Sequence, residues 1–259
     1  MELGIEGKNA IICASSKGLG RGCAFALAEE GVNVVINGRN REEVEATARE
    51  LRALTKVDVT EVVADVTTAE GRAALLDACP QPDILVTNAG GPPALDFRKL
   101  GEKEWLAGLI PNLVAPVLLI KEVIDGMTER RFGRIVNITS RSVKTPLVHL
   151  PLSNAARAGL TGFIGGLSRQ VARHNVIVNN LLPGPFATDR QMGQIRTKAA
   201  ELKMAADEYL QSQHAQVPVG RFGTPEEFGR ACAYLCSVHA EYIVGQNLLM
   251  DGGGFYSTL

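Results

Sequence analysis

The sequence predicts a doubly wound α/β fold, in which helices cover both faces of a parallel sheet of about seven strands. Short runs of apolar, often β-branched residues alternate with longer amphipathic stretches along the whole chain. The short runs are almost continuously apolar, which is typical of strands buried on both faces. No linker rich in Pro, Gly or Ser and no repeat of about 20–50 residues divides the chain. We therefore expect residues 1–259 to form a single domain.

Each predicted element follows from the switch between a short apolar run and a longer amphipathic stretch. The predicted strands are Asn9–Cys13, Val32–Ile36, Thr60–Ala64, Asp83–Thr87, Arg134–Thr139, Val176–Leu182 and Asn247–Met250. The predicted helices are Gly20–Glu30, Arg41–Leu54, Thr68–Ala78, Glu102–Met127, Ser153–His174 and Pro225–Ser237. One polar helical stretch, Asp189–Ala215, interrupts the alternation before the last strand. Because insertions at the carboxyl edge of such a sheet often cover the ligand crevice, residues 189–215 are predicted to be a substrate lid.

Composition excludes several classes of protein. The 27 Lys and Arg residues against 28 Asp and Glu give a net charge of −1, which provides no electrostatic footprint for nucleic acid or for a membrane surface. The hydrophobic fraction of 46% is too high for intrinsic disorder. The first residues lack a signal-peptide pattern, and no run of about 18 apolar residues is present to span a bilayer. We expect a soluble protein of the cytoplasm.

The cysteines point in the same direction. The chain has five of them, without paired spacing, which indicates reduced thiols. Cys232 and Cys236 lie one helical turn apart, but no further His or Cys cluster accompanies them. We therefore interpret this pair as core packing and predict no metal site.

A glycine-containing turn follows the first predicted strand. It runs Ala14-Ser15-Ser16-Lys17-Gly18-Leu19-Gly20 and leads into a helix. Glycines at such a turn let backbone N–H groups at the helix start approach a pyrophosphate closely. The G-x-G-x-x-G pattern is incomplete, because Cys23 takes the place of the third glycine. An ordinary strand-to-helix turn is the alternative interpretation.

Further motifs in a fixed order carry a family resemblance. They are Asp65 after the third strand, Asn88-Ala89-Gly90 after the fourth, Asn112 in the next helix, Ser140 closing the fifth strand, Pro183-Gly184 after the sixth, residues 218–227, and Asp251-Gly252-Gly253. Together with the glycine turn, they resemble the short-chain dehydrogenase/reductase family over essentially the whole chain, and its 3-oxoacyl reductases most closely. The resemblance implies a Rossmann-like fold and a nicotinamide dinucleotide cofactor.

The resemblance also implies the cofactor contacts. The glycine turn would hold the pyrophosphate, Asp65 the adenine, the Asn-Ala-Gly segment the adenosine ribose, and the Pro-Gly loop the nicotinamide. The residues concerned are Ala14, Ser16, Lys17, Gly18, Leu19, Gly20, Asp65, Val66, Asn88, Ala89, Gly90, Pro183, Gly184 and Thr188. Ala14 is a departure, since the family usually has Gly there. Its methyl group is acceptable at negative φ but would crowd the cofactor at positive φ.

The end of the second strand bears on the choice of cofactor. It runs Ile36-Asn37-Gly38-Arg39 and has no carboxylate to bond the ribose hydroxyls of NAD(H). Lys17 and Arg39 would lie near the adenosine ribose, and a guanidinium suits a 2′-phosphate. The sequence therefore predicts NADP(H) rather than NAD(H). The alternative is that both cations are ordinary solvated surface groups.

The catalytic positions depart from the family pattern. The family has a Ser, a Tyr 13 residues later and a Lys four residues after that; counting from Ser140 leads to Ser153 and Arg157. An aliphatic hydroxyl is a much weaker acid than a phenol, so Ser153 is a poor proton donor. We expect Arg157 to hold the nicotinamide ribose and to stabilise a developing alkoxide as a fixed cation.

Two residues are candidates for proton delivery. His149 precedes the altered pair, and imidazole titrates near neutral pH, although a single loop histidine is more often a surface or packing residue. Asn112 matches the family residue that helps to hold a water in a proton relay. Its alternative role is to fill a kink beside Pro111.

Small residues along one predicted helix suggest assembly. Ala155, Ala158, Gly159, Gly162 and Gly166 recur there, although each interior Gly costs about 1 kcal/mol of helix propensity relative to Ala. Close approach of another helix would compensate, and the resembled family forms dimers or tetramers through this helix. We predict a homodimer or homotetramer; tight packing within the subunit is the alternative.

Three functions remain for this sequence. The leading one is an NADP(H)-dependent oxidoreductase that acts on a small carbonyl or alcohol, with Ser140, Ser153, Arg157 and Asn112 at the reacting centre. A lyase or dehalogenase is less favoured, because halohydrin dehalogenases keep the Tyr and lose the glycine turn, whereas this chain does the opposite. A cofactor-binding regulator without catalysis is the third, supported by the missing Tyr.

Overall fold

The computed structural model describes residues 2–257 and contains one parallel sheet of seven strands. The strands are β1 (Asn9–Ile12), β2 (Asn33–Gly38), β3 (Val59–Val63), β4 (Ile84–Thr87), β5 (Gly133–Ile138), β6 (Val176–Pro183) and β7 (Asn247–Met250). Their order across the sheet is β3-β2-β1-β4-β5-β6-β7, with every neighbouring pair parallel. The doubly wound fold class predicted from the sequence is confirmed.

Nine α-helices lie in the described part of the chain. They are α1 (Gly18–Glu29), α2 (Arg41–Leu54), α3 (Ala69–Ala78), α4 (Glu102–Leu109), α5 (Ala115–Arg130), α6 (Pro151–Val171), α7 (Asp189–Glu201), α8 (Ala206–His214) and α9 (Pro225–Cys236). Side chains at several starts make the expected caps: Asn40 accepts a hydrogen bond from the N–H of Glu43, and Thr224 forms a capping box with Glu227.

Two apolar clusters cover the two faces of the sheet. Ile12 and its neighbours pack under α1, α2 and α9, while Ile11, one residue earlier, packs under α3, α5 and α6 on the other face. This alternation explains why the strands read as continuously apolar. The contact of α1 with α9 is close enough that a Cβ on Gly22 would collide with the backbone at Pro225.

Some element boundaries differ from the sequence prediction. The stretch predicted as one helix, Glu102–Met127, is interrupted by a π-turn at Ile110–Val114, which contains Pro111. A proline lacks the N–H that would continue the α-helical hydrogen bonds, so the turn widens there. The stretch 189–215 forms two helices, α7 and α8, rather than one continuous helix.

The helical stretch Glu102–Arg130 is long and apolar enough to span a membrane by composition alone. A core helix of a water-soluble protein passes the same test. Its residues Leu119, Val123 and Met127 are buried against the sheet. Packing inside the fold therefore accounts for these three apolar residues.

Candidate active site

A cleft of about 670 Å³ opens at the carboxyl ends of the strands. It lies where the strand order reverses between β1 and β4, the place at which open α/β sheets bind ligands. Of the cofactor residues expected from the sequence, those that line it are Ala14, Ser16, Lys17, Gly18, Leu19, Arg39, Asp65, Val66, Asn88, Ala89, Gly90, Pro183 and Thr188. The structure thus brings residues distant in sequence to one continuous surface.

Two predicted cofactor residues lie behind this surface instead. Gly20 packs against the Ala14 carbonyl and the side chain of Asn88, where a Cβ would lie 2.9 Å from the Asn88 amide nitrogen. Gly184 packs against Asp251 and donates its N–H to the Met250 carbonyl at 2.8 Å. Both glycines allow close backbone packing beneath the cleft, and neither lines it.

The turn after β1 has an unusual backbone. Gly18 has a φ of 59°, and Ala14 has a φ of 46°, in the left-handed region that disfavours residues with a Cβ. Ala14 therefore meets the positive-φ condition under which its methyl group was expected to crowd a cofactor. Two hydrogen bonds hold this conformation: the Ala14 N–H donates to Asn37 Oδ1 at 3.1 Å, and its carbonyl accepts from Asn88 Nδ2 at 3.2 Å.

The end of the cleft with Lys17 and Arg39, where the adenosine is expected and which is therefore named the adenosine end, carries paired charges. Lys17 Nζ lies 2.8 Å from a carboxylate oxygen of Glu43, and Arg39 Nη1 lies 3.8 Å from Asp65 Oδ2. Both cations are largely exposed to solvent, and both line the cleft. Glu43 was missed by the sequence reasoning, which rested on the end of the second strand. Its place three residues after the helix-capping Asn40 is the signal that would have found it.

The carboxyl group of Asp65 is held in its ionised form. Burial by itself would raise its pKa, but hydrogen bonds from the N–H and hydroxyl of Thr67, at 2.9 and 2.7 Å, lower it. The charge of Arg39 acts in the same direction. The net result is a pKa below the ordinary value for an aspartate.

The other end of the cleft is lined by Arg157, one member of the altered catalytic pair; Ser153 lies behind it and is not part of the lining. Arg157 is 9% exposed, and its Nε donates to the Ser153 hydroxyl at 3.2 Å, since the two residues are one turn apart on α6. Its Nη1 donates to the Ile138 carbonyl at the end of β5, at 2.8 Å. Burial and, to a smaller extent, the charge of Arg190 lower the pKa of Arg157 to about 10. The guanidinium is therefore still protonated at pH 7.

A second arginine in this region was missed by the sequence reasoning. Arg190, the second residue of α7, lines the cleft and donates from Nη2 to the Gly91 carbonyl at 3.2 Å. Across residues 2–257, neither Arg157 nor Arg190 has a carboxylate oxygen within 4.0 Å. No sequence spacing marks Arg190, because only the fold places α7 across from the loop after β4.

The remaining catalytic candidates, Asn112, Ser140 and His149, are not part of the cleft lining. Asn112 is buried in the π-turn and donates to the Gly90 carbonyl at 3.2 Å, which ties it to the wall of the cleft. The Ser140 hydroxyl accepts from the N–H of Ser142 at 3.0 Å. His149 is exposed, and its carbonyl accepts from the N–H of Leu95. The structure thus brings Ser153 and Arg157 into contact and does not bring His149 to the cleft.

The cysteines of α9 lie in the core, away from the cleft lining. Cys232 and Cys236 are fully buried near Cys23, and the hydrogen bond with Cys23 together with burial raises the pKa of Cys232 well above its ordinary value. Among residues 2–257, no group of three or more His, Cys, Asp or Glu side chains is arranged to hold a metal ion.

Comparison with known proteins identifies the family. A short-chain dehydrogenase family model, described as enoyl-(acyl carrier protein) reductase, matches residues 13–254. The chain belongs to the short-chain dehydrogenase/reductase family. Members of this family among the curated proteins include the 3-oxoacyl-acyl-carrier-protein reductase of Aquifex aeolicus, which is 32% identical over 98% of this chain and 100% of its own length. The NADPH-dependent reductase BacG of Bacillus subtilis is 30% identical, over 96% of this chain and 98% of its own.

Solved structures of short-chain dehydrogenases/reductases have the same fold. The L-sorbose reductase of Gluconobacter frateurii, in complex with NADPH and L-sorbose, superposes with a TM-score of 0.94 at 31% identity, covering 99% of this chain and 100% of its own. YwfH, an NADPH-dependent reductase involved in bacilysin biosynthesis, gives a TM-score of 0.90 at 28% identity, over 96% and 99% of the two chains. The resemblance inferred from the motifs is therefore confirmed at the level of family and fold.

Proposed function

We propose that the protein is an NADP(H)-dependent oxidoreductase that transfers hydride between the nicotinamide and a carbonyl or alcohol substrate. The observation that carries this proposal is the continuous cleft with the glycine turn and two cations at one end and Arg157 at the other. Family membership supports the reaction class. The NADPH complexes among the structural neighbours support the cofactor.

Most of the cleft suits a dinucleotide phosphate; the exception is Ala14, whose methyl group at a φ of 46° is expected to crowd the pyrophosphate turn. The N-terminus of α1, after the turn at Gly18, offers backbone N–H groups and a positive helix end to the pyrophosphate. A Cβ on Gly90 would meet no atom within 4 Å, so the wall is open where the adenosine ribose is expected. Lys17 and Arg39 would hold a 2′-phosphate, since Glu43 is already engaged by Lys17 and does not stand free to bond ribose hydroxyls.

The reduction consumes one proton besides the hydride. The cofactor, when bound, supplies the hydride to the carbonyl carbon, and the carbonyl oxygen must then be protonated to give the alcohol and oxidised cofactor. Arg157 would stabilise the negative charge that develops on this oxygen, because a fixed cation in a water-poor site needs no reorganisation. Ser140 and Ser153 would orient the carbonyl.

The proton would come from a water beside Asn112 or from His149. Asn112 is fixed on the wall of the cleft by its bond to Gly90, which supports the water route, whereas His149 is exposed and outside the lining. A His149→Ala variant separates the routes. Unchanged turnover, with an unchanged pH profile near neutrality, would leave the water route; a marked loss would assign the proton to His149.

The two helices of residues 189–215 are proposed to be a lid over the substrate. They follow Thr188, which lines the cleft and lies near Gly18, and they carry Arg190. Together with the sheet they would complete a single domain of residues 1–259, which we propose acts in the cytoplasm.

The outer face of α6 supports a homodimer or homotetramer. Ala155, Ala158, Gly159, Gly162 and Gly166 are all exposed. A Cβ on Gly162 or Gly166 would meet nothing within 4 Å, so packing inside this chain does not account for these glycines. Further exposed apolar residues lie on α4, in the π-turn and on α6: Leu106, Ile110, Val114 and Phe163. Sedimentation at micromolar concentration tests this proposal: a monomer would reject it, and a Gly162→Arg variant should dissociate the oligomer.

Titration of the purified protein with NADPH, followed by the fluorescence of the nicotinamide, tests the function. Saturable binding that is tighter for NADPH than for NADH is expected, and binding of neither would reject the proposal. Saturable binding without turnover across a broad panel of carbonyls and alcohols would instead favour a cofactor-binding regulator. Consumption of substrate without oxidation of NADPH would favour a lyase or dehalogenase.

A further inference from the structure

We propose that Arg157 and Arg190 together bind an anionic group of the substrate, a carboxylate, so that the protein acts on carbonyl compounds that carry a carboxylate close to the reacting carbon. This inference names the substrate class for the proposed reductase and rests on that function. Both guanidiniums line the same end of the cleft.

The first observation is that the charge of Arg157 is buried with no counter-ion among residues 2–257. Its two hydrogen-bond acceptors, the Ser153 hydroxyl and the Ile138 carbonyl, are both neutral. A buried cation without an opposite charge is strongly unfavourable, and structures retain one chiefly where something else supplies the anion. The nicotinamide ribose, which the family places here, is uncharged and does not supply it.

The second observation is that Arg190 is oriented by backbone carbonyls. Its Nη2 donates to Gly91 at 3.2 Å and reaches the Pro92 carbonyl at 3.5 Å. The absence of a side chain at Gly91 makes this possible, because a Cβ there would lie 2.9 Å from Nη1. Neutral acceptors on one edge fix the plane of the guanidinium and leave its other N–H donors for a ligand.

The third observation is the charge around the two arginines. The carboxylates of Glu43 and Asp65 are paired with Lys17 and Arg39 at the adenosine end. Asp189 lines the cleft beside Arg190, yet within residues 2–257 it forms no ion pair with either arginine. Within the described residues, Arg157 and Arg190 therefore line the same end of the cleft, close enough for the charge of one to act on the other, with no carboxylate oxygen within 4.0 Å of either.

A planar carboxylate matches this arrangement. A guanidinium binds a carboxylate through two parallel N–H···O bonds, which fixes orientation as well as charge. Arg157 lies on α6, on the floor of the cleft, and Arg190 lies on α7, in the stretch proposed as the lid. A carboxylate shared by both would draw the lid onto the floor and position the neighbouring carbonyl for hydride transfer.

Binding of dead-end ligands to the NADPH complex tests the proposal without knowledge of the substrate. Oxalate and malonate are titrated against their uncharged counterparts oxamide and malonamide, with the cofactor fluorescence as the readout and inorganic phosphate as a further arm. We expect each acid to bind at least about tenfold tighter than its amide, the equivalent of about 1.4 kcal/mol. Tighter binding of phosphate than of malonate would overturn the carboxylate assignment.

A pair of variants on one helix locates the effect. Arg190→Gln should weaken malonate binding about tenfold and leave the Kd of NADPH within about twofold. Arg196→Gln, on an exposed position of the same helix, should change neither. Equal binding of acids and amides, or no binding of either, would overturn the proposal. So would an Arg190→Gln variant that loses NADPH affinity and keeps malonate affinity, since Arg190 would then face the cofactor phosphates.

Calorimetry on the cofactor-free protein separates this inference from the reductase function. Saturable malonate binding in a protein that does not bind NADPH would support the anion site and reject the reductase function. NADPH binding and hydride transfer to neutral ketones, with no response to any anion, would keep the reductase and remove the anion site.

Discussion

The two ends of the cleft use charge in opposite ways. At the adenosine end, Lys17 and Arg39 are exposed and each has a carboxylate partner, Glu43 or Asp65. At the other end, where the nicotinamide is proposed to bind, Arg157 is buried, Arg190 lies near it, and neither has a carboxylate within 4.0 Å among residues 2–257. Without a ligand, the exposed ion pairs cost little free energy of folding. The unpaired buried cation lowers the stability of the protein, and the rest of the fold must offset that cost.

The two ends also differ in how closely this chain follows the family pattern. At the adenosine end, the chain has the strand-to-helix turn with Gly18 and Gly20, Asp65 and the Asn-Ala-Gly segment of the family pattern. The two cations there form surface ion pairs, in which a phosphate can take the place of the carboxylate. At the end proposed to react, Ser153 stands where the family pattern implies a tyrosine that gives a proton, and the guanidinium of Arg157 keeps its own proton. We infer that catalysis here depends on stabilising charge on the substrate oxygen more than on a positioned acid.

The largest expected effect is on turnover. Arg157→Met removes the cation at the reacting end and should lower kcat/KM by about 10²–10³-fold, because both the substrate carboxylate and the charge developing on the substrate oxygen lose the guanidinium. Arg157→Lys is the matched control, since it keeps the charge, and should retain more activity. Equal rates for wild type and Arg157→Met would show that the two ends do not differ in this way.

The next effect concerns cofactor choice at the adenosine end. Arg39→Ala should raise the Kd of NADPH about tenfold and leave that of NADH unchanged, since the guanidinium is proposed to act on the 2′-phosphate. Arg41→Ala, two residues on and paired with Glu45 on the surface, is the control and should change neither. A similar loss for both cofactors would remove the phosphate assignment.

Removal of the Arg157 charge should raise the stability of the protein although it lowers activity. The folded pKa of Arg157, about 10, lies below its ordinary 12.5, so the charged form is disfavoured by folding at every pH below about 10, and this penalty fades as pH rises above it. Arg157→Met should therefore stabilise the apoprotein near pH 7 by about 1 kcal/mol, or roughly 2–4 °C in Tm, after allowance for the acceptors left unpaired. A lower Tm for this variant would contradict the unpaired-charge interpretation.

The smallest effect is expected on stability when Asp65, the carboxylate paired with Arg39, is replaced. The pKa of Asp65 is lowered in the fold, so its contribution is present above its unfolded pKa and is lost as pH falls through the folded value. Asp65→Asn should destabilise the protein at pH 7 by at most about 1 kcal/mol, because the pair with Arg39 is exposed and screened. Denaturation at pH 7 and in acid checks this, with the difference between the two proteins disappearing in acid. A difference that persists in acid would assign the effect to packing.

The sequence predicted the fold class and family correctly because they rest on local signals repeated along the chain. Strand runs such as Val176–Leu182 and the ordered motifs each carry their own evidence. It predicted one helix through Ile110–Val114 and gave a kink beside Pro111 only as an alternative, since a proline one residue before Asn112 is compatible with several helix geometries. Arg190 was missed for a different reason: it reaches the cleft through tertiary contacts between elements far apart in sequence, whereas Glu43 had a local signal in its place three residues after the helix-capping Asn40.

Hydride transfer from labelled cofactor tests the central claim most directly. The protein is incubated with NADPH carrying deuterium at nicotinamide C4, in separate preparations for each face, and with carbonyl compounds that do or do not carry a carboxylate. We predict that deuterium from one face appears on the carbinol carbon of the product, at a rate that Arg157→Met strongly reduces. Tight NADPH binding with no deuterium in any product would contradict the account and leave a cofactor-binding protein without redox catalysis.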